Sequence, residues 1–380
     1  MNDSTVFPNL KVKVFGIGGA GNNAINNIIA DDQFDSSAIE FWAINTDSQH
    51  LQDNRNKCEN KLLLANPIYS GCGAGGDPKV GKECALNSID QIKEILADTN
   101  VLILAAGLGG GTGTGATPVI ADVAKKMGIL TIAILTTPFD MEGEIKKSIA
   151  LAGINEIKNH SNSYSLVSNQ QILETYKDFP LNMAMQMADK KLKNLIKNVI
   201  DIINLSWFIN IDFHDLKNVL ENGQNTFIGY AKTSGSDKVK KAVDEVVSDN
   251  ISEIKSNNNY KNLLVSFHID SKGTLTEINE AIELLKEHFG TDTHIKFGII
   301  NDAWTDERED FFTIGIIAGQ GEIHSSIDYH NKIKGSKDNS LINEQTNIIN
   351  VENTDEYDQI VTKNEKILEQ NSDLIPDFFK

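Results

Sequence analysis

Residues Gly107-Leu108-Gly109-Gly110-Gly111-Thr112-Gly113-Thr114-Gly115 follow directly on the apolar run Val101 to Ala106 and precede a helical stretch that begins near Pro118. Five of the seven residues from Gly109 are glycine. Glycine loses more backbone freedom on folding than any other residue, so such a run is costly unless the bare backbone makes the contacts. A strand-to-helix turn of this composition offers N–H donors and the positive end of a helix dipole, which suits a phosphate. No lysine stands in the run, so amides, the threonine hydroxyls and a metal ion must balance the phosphate charge. Upstream, Gly16-Ile17-Gly18-Gly19-Ala20-Gly21 follows the strand-like Val12 to Phe15 and opens the helical Asn22 to Ile29, which satisfies GxGxxG in its required context. Alone, this turn suits a dinucleotide dehydrogenase equally well, or a tight turn without ligand. Two such turns in one sheet can face the same phosphate chain.

The spacing around them is that of an α/β protein. Short β-rich runs (Val12 to Phe15, Phe41 to Ile44, Val101 to Ala105, Leu130 to Leu135) alternate with helical stretches (Asn22 to Ile29, Val119 to Lys126). That is the pattern of parallel strands joined by crossover helices, with ligands at the carboxyl ends of the strands. From Pro180 to about Asn204 there is no glycine, and Leu181, Met185, Ala188, Leu192, Leu195, Ile196, Val199 and Ile203 recur at helical spacing. A helix of ~25 residues would be ~37 Å long. Beyond it, Asn262 to Ile269, His294 to Ile300 and Phe311 to Ile317 read as strands, with a helix from Leu275 to His288, which makes a second, smaller α+β domain.

The expected organisation is residues 1–179 as a nucleotide-binding domain, 180–204 as a central helix and 205–321 as the second domain. Residues 322–371 are polar and rich in Asn, Asp, Glu and Lys, and read as a disordered linker. The last residues, from Ser372 through Asp373-Leu374-Ile375-Pro376-Asp377-Phe378-Phe379-Lys380, bring apolar side chains back, as a short binding peptide or simply a sticky terminus. Asp and Glu outnumber Lys and Arg by 53 to 35, a net charge of -18. This argues against non-specific nucleic-acid binding and against adhesion to anionic lipid. The longest apolar runs, such as Ile129 to Leu135, fall far short of the ~20 residues that span a bilayer, and the first residues lack the basic and apolar regions of a signal peptide. A cytoplasmic protein without membrane insertion is expected. Cys58, Cys72 and Cys84 form no CxxC pair and no Cys/His cluster occurs, so neither a disulfide nor a protein-ligated metal site is expected.

A third glycine loop, Gly71-Cys72-Gly73-Ala74-Gly75-Gly76-Asp77-Pro78, suits closure over a terminal phosphate. Gly76, Gly81 and Lys82 imitate a Walker A loop. Glu83, however, stands where Ser or Thr would hold Mg²⁺, and no strand precedes the loop, so that reading is discarded.

Gly109 to Gly115 matches the GGGTGTG signature of the FtsZ family of tubulin-like GTPases, and Gly16 to Asn23 resembles that family's first glycine loop. Asn45-Thr46-Asp47 and Gly73 to Gly76 are similar to its next two nucleotide loops, Phe139-Asp140-Met141-Glu142-Gly143 to its ribose-binding stretch, and the last eight residues to its adaptor-binding peptide. The similarity runs in order from Lys11 to about Gly321.

The resemblance implies a tubulin-like Rossmann-type GTPase of bacterial cell division. It would bind GTP or GDP with Mg²⁺ held mainly through phosphates and water, polymerise head to tail into filaments at mid-cell, and meet membrane-anchored adaptors through residues 373–380. Carried over residue by residue, it implies nucleotide contacts at Gly18, Gly19, Ala20, Gly21, Asn22, Asn23, Asn45, Asp47, Ala74, Gly75, Gly76, Gly109, Gly110, Gly111, Thr112, Gly113 and Thr114. It also implies ribose binding by Glu142 and guanine recognition by Asn169 and Asp189, with Lys146 and Met185 beside the nucleotide. A carboxylate at Asp189 can accept from both N1–H and the 2-amino group of guanine, a donor pair adenine lacks; by composition alone it is an ordinary charge on a helix.

Asn210-Ile211-Asp212-Phe213-His214-Asp215 matches the family's NxDFxD loop, which implies that Asn210, Asp212 and Asp215 complete hydrolysis in the next subunit. The two carboxylates can orient and polarise the attacking water or help hold a cation against the γ-phosphate. They also read as a helix N-cap and a first-turn acid, and both roles are compatible. The chain departs from the pattern at Lys146, where an arginine is usual, at Met185, where an aromatic is common, and at Ser206-Trp207, where Pro-Gly is common. These changes bear on nucleotide affinity and hydrolysis rate. An NAD-linked oxidoreductase built on the first turn leaves the second glycine run and the NxDFxD loop unexplained. A relative that polymerises but hydrolyses poorly is the other alternative.

Overall fold

A computed structural model of the chain describes residues 10–31, 39–65, 71–204, 213–220, 224–248, 260–301 and 310–319. In chain order the first part comprises β1 (Val12–Ile17), α1 (Gly18–Ile29), β2 (Ile39–Asn45), α2 (Ser48–Gln52), β3 (Asn60–Leu63), α3 (Pro78–Asn87), α4 (Ile89–Leu96), β4 (Val101–Gly107) and α5 (Thr112–Lys126). It continues with β5 (Leu130–Thr137), a 3-10 turn (Asp140–Glu142), α6 (Glu144–His160), β6 (Ser163–Ser168), α7 (Asn169–Thr175) and α8 (Leu181–Asn204). Then come α9 (Phe213–Leu220), β7 (Gln224–Asn225), β8 (Phe227–Thr233), α10 (Lys238–Ser248), β9 (Asn262–Ile269), α11 (Leu275–Phe289), β10 (His294–Asn301) and β11 (Phe312–Gly319).

The first sheet is parallel throughout, in the order β3-β2-β1-β4-β5-β6-β7. Strands β1, β4 and β5 are buried at almost every position because both faces of the sheet are covered, as parallel sheets require. Val14, Ile103 and Ile132 pack with Ala24, Ile25 and Ile28 of α1 and with α8. On the other face Phe15, Leu102 and Ala133 meet α3, α4, α5 and α6.

The second sheet, β10-β9-β11-β8, pairs β9 and β10 parallel and β11 antiparallel to both β9 and β8. Its own core lies under α10 and α11. Helix α8 joins the two parts: Leu192, Leu195, Ile196 and Val199 share one core with the first sheet and with Ile228, Leu264 and Ile317 of the second. Asn198, buried in that seam, donates through Nδ2 to Gly229 O (3.0 Å) and Ile316 O (3.3 Å) and accepts from Ser266 Oγ (3.3 Å). A Cβ at Gly315 would stand 1.9 Å from Asn198 Oδ1, so the seam demands glycine there.

Central helix and second-domain strands lie where periodicity puts them. Helix α5 is the main correction: it starts at Thr112, with Pro118 inside it rather than near its start. The glycine run is therefore half turn and half helix. It supplies the close approach of α3, whose Pro78 carbonyl oxygen would lie 2.0 Å from a Cβ at Gly115. Residues 320–380, which include the expected linker and tail peptide, lie outside the described residues.

Candidate nucleotide-binding site

All three glycine loops gather at the carboxyl edge of the first sheet. Gly18 adopts φ +71°, and a Cβ on it would stand 3.2 Å from Gly113 N, so the first and second turns touch. Asn22, fully buried, donates from Nδ2 to Gly16 O (2.9 Å), Gly18 O (2.6 Å) and Ile44 O (3.0 Å), tying the first turn to the end of β2. Thr46 Oγ1 and Thr112 Oγ1 lie 2.7 Å apart, and Gly109 N donates to Thr114 Oγ1 at 2.9 Å. The third loop is tied in by Gly73 N to Thr46 O (3.1 Å) and Ser48 N to Gly71 O (3.1 Å). Asn45 accepts from Asp47 N at 3.3 Å, while Asp47 itself caps α2 through Gln49 N (2.9 Å) and His50 N (3.3 Å).

Two classes of glycine emerge. At Gly21 an added Cβ would meet Ala105 O at 2.1 Å, at Gly113 it would meet Gly107 O at 2.3 Å, and at Gly111 it would meet the Ala74 Cβ at 2.7 Å. The fold itself demands these. Gly110 has nothing within 4 Å of an added Cβ and no left-handed φ, while Gly19 has only His50 Nε2 at 3.7 Å. Gly75 and Gly76 have left-handed φ (+57° and +82°) and open space beside them. At Gly110 and Gly19 the bare backbone has no internal reason, which fits a ligand lying against it. Ala20 and Asn23 are exposed beside Gly19 on α1. A strand, β3, does precede the third loop, contrary to expectation, but the Walker A imitation still resolves into packing: Gly81 lies against Gly111 O, and Lys82 forms an ion pair with Glu156 of α6 at 3.7 Å.

The rim is formed by the segments after β5 and β6. Glu142 accepts from Phe139 N (2.9 Å) and from Lys146 Nζ (2.8 Å), so both carboxylate oxygens already serve the turn, with lone pairs remaining for a ribose hydroxyl. The Lys146 carbonyl lies 3.0 Å from a Cβ at Gly109, which puts this turn against the second glycine loop. Asn169 opens α7, and its Oδ1, like Asn22 Oδ1, is buried with no hydrogen-bond partner among the described residues. A buried amide oxygen without a donor is costly, and a ligand donor at Asn169 would relieve it. Asp189 is half-buried on α8, and burial pushes its carboxyl upward. Met185 lies on the first turns of α8.

Asn210 and Asp212 lie outside the described residues. Asp215 sits in the first turn of α9. Helix α8 follows α7 from the carboxyl edge of the sheet, and the chain re-enters at the amino edge, where β7 pairs with Ser163 and Tyr164 at the start of β6. Asp215 and the glycine turns of one chain are therefore not brought together. Sequence reasoning did not find the Thr46–Thr112 contact or the Lys296 partner of Asp215. Thr46 was within reach, since it stands between two residues already singled out. Among the described residues no group of three or more His, Cys, Asp or Glu could hold a metal ion.

A parallel sheet with three glycine loops at its carboxyl edge, a long joining helix and a second mixed sheet defines a nucleotide-binding protein of the tubulin type. Residues 11–177 match the Tubulin/FtsZ family, GTPase domain, and the chain belongs to that family. Within it, the chain is 36% identical over 309 residues to the cell division protein FtsZ of Aquifex aeolicus, covering 81% of this chain and 82% of that one. It is 38% identical over 301 residues to the cell division protein FtsZ of Mycoplasmopsis pulmonis, covering 79% and 75%. The solved empty FtsZ dimer of M. jannaschii superposes with a TM-score of 0.72 at 31% identity, covering 81% of this chain and 88% of the other. These are division-protein homologues of a tubulin-like GTPase family. Among the described residues no helix is long and apolar enough to cross a membrane.

Proposed function

We propose that this chain binds GTP at the carboxyl edge of its first sheet, polymerises head to tail into the filaments of a bacterial division ring, and hydrolyses GTP at the junction between successive subunits. The observation that carries the reading is the separation of the glycine turns from Asp215 by the length of α8, ~36 Å for 24 residues. A second subunit stacked along that axis would bring Asn210, Asp212 and Asp215 to the phosphates. The rim supports a docking face: Met141 is 63% exposed, Ile145 79%, Phe179 47% and Met183 38%. The M. jannaschii relative is a dimer.

In this reading the three glycine loops, from Gly18 to Asn23, Ala74 to Gly76 and Gly109 to Thr114, cradle the phosphates, with Asn45 and Asp47 beside them. Glu142 holds the ribose, Lys146 and Met185 flank the nucleotide, and Asn169 and Asp189 read guanine. Mg²⁺, when bound, would neutralise phosphate charge, held by phosphate and water oxygens rather than by a protein cage. The protein would work in the cytoplasm at mid-cell. Its domains would be residues 1–179, 180–204 and 205–321, with 322–371 as a linker of roughly 50 residues spanning on the order of 40 Å to an adaptor-binding peptide at 372–380.

The deciding experiment is phosphate release from GTP, with ATP as control, across protein concentration and alongside sedimentation. GTP-specific activity should rise as polymer forms. Activity per subunit that is independent of concentration would place the chemistry within one chain and overturn the reading.

Asp189 adds a pH dependence. Burial raises its carboxyl, whereas guanine's two donors favour the ionised form, so binding from the protonated state requires proton release. GTP affinity of the isolated subunit is expected to fall as pH drops through the raised pKa. Asp189→Asn should weaken binding about tenfold or more at neutral pH, since hydrogen bonds to a charged group contribute about 1.5–3 kcal/mol, and should flatten the pH profile. Calorimetric titration across acidic to neutral pH checks both; an unchanged profile in D189N would assign the dependence elsewhere.

A further inference from the structure

Lys296 of β10 and Asp215 of α9 form an ion pair across 81 residues of sequence. The Asp215 side chain is 19% exposed and that of Lys296 37%, so the pair is held in the surface with one side open. Asn218, Val219, Asn262 and Leu264 line the same hollow as the pair. The two groups belong to separate elements: α9 follows the central helix, and β10 is the edge strand of the second sheet, paired with β9.

The contact matters because Asp215 is the described member of the carboxylate pair assigned to the next subunit's nucleotide. A carboxylate that must meet a triphosphate faces two difficulties. It has rotamers to lose, and it approaches like charge. A lysine anchored on a strand addresses both, by fixing the carboxylate before docking and by carrying a positive charge into the junction.

We propose that Lys296 is a positioning residue for hydrolysis between subunits, holding the Asp215 carboxylate in place and offsetting its repulsion from the neighbouring subunit's phosphates. The proposal rests on the reading of Asp215 as a partner to that nucleotide. A purely structural surface pair would add little to stability and leave turnover alone.

The test compares K296M, K296R and D215N in the full chain. Phosphate release per sedimented subunit, the critical concentration for assembly at low and high salt, GTP affinity of the isolated subunit and the unfolding midpoint are measured for each. K296M should lose on the order of tenfold in turnover per polymerised subunit, the scale of a displaced catalytic group, while its GTP affinity stays at the wild-type value. Its critical concentration should rise several-fold at low salt and recover as salt screens the repulsion. K296R, which keeps the charge, should restore most of the turnover. K296M at the wild-type rate, or faster, together with a slow D215N, overturns the positioning role and leaves the reading of Asp215 standing. D215N at the wild-type rate removes that reading itself. If K296M does not fold, K296Q, a donor without the charge, is read by the same criteria.

Discussion

Gly110→Ala is expected to fold as stably as the native chain and to lose GTP affinity on the order of a hundredfold, while Gly21→Ala is expected to do the reverse at the level of cause, losing the fold first. The contrast follows from what an added methyl meets. At Gly110 it meets nothing within 4 Å, and the backbone there is not left-handed, so alanine fits and even lowers the entropy of the unfolded chain. In the proposed binding mode the methyl would instead stand in the space given to a phosphate against the second turn, lengthening backbone hydrogen bonds to a charged group that contribute about 1.5–3 kcal/mol each. At Gly21 the methyl would lie 2.1 Å from the Ala105 carbonyl oxygen, forcing α1 off β4. Overpacking of this kind costs about 1–3 kcal/mol. Urea unfolding without nucleotide, paired with nucleotide titration, separates the two. A Gly110→Ala protein that binds GTP as the wild type does would mean that Gly110 does not face the phosphates.

That pair also shows how far the sequence could be read. Strand-to-helix turns at Gly16 and Gly107, the central helix and the strands at Asn262, His294 and Phe312 are visible because their signals are local: alternation, helical spacing, and glycine between an apolar run and a helix. The purpose of each glycine is not local. Gly111 and Gly113 read from sequence as nucleotide contacts, and Gly115 as the end of the same glycine run. In the fold they also let α3 and the β4 turn approach α5, with the Pro78 carbonyl oxygen 2.0 Å from where a Cβ on Gly115 would be. That duty depends on a helix whose own sequence carries weak periodicity. For the same reason α5 begins six residues before Pro118: packing against α3 outweighs the preference of proline for a first turn. Asn22 was legible as a candidate site residue. Its three backbone acceptors, one of them on β2, were not, because they are set by strand register. Lys296 was invisible in the same way, since its meaning lies in a partner on another element.

The largest effect is expected where two defective chains are mixed. Asp212→Asn alone should assemble on GTP and turn over at least a hundredfold more slowly, because in the proposed mechanism the group that orients the attacking water has lost its charge. A chain with its nucleotide site blocked, by Gly110→Val, should also be inactive alone, for want of bound GTP. If catalysis belonged to one chain, the mixture would stay inactive. If it belongs to the junction, each defect sits on a different side of it. The D212N chain brings an intact nucleotide site and the Gly110→Val chain an intact loop, so a junction with the second chain's loop in the first chain's site is complete. In a random equal mixture of head-to-tail contacts about a quarter of junctions have that arrangement, enough to restore phosphate release far above either parent. The blocked chain needs no nucleotide of its own to supply the loop, so a pair of subunits suffices. Restored turnover in the mixture would establish the shared site without reference to filament length. Continued inactivity, with both chains shown to co-sediment, would return the chemistry to a single subunit.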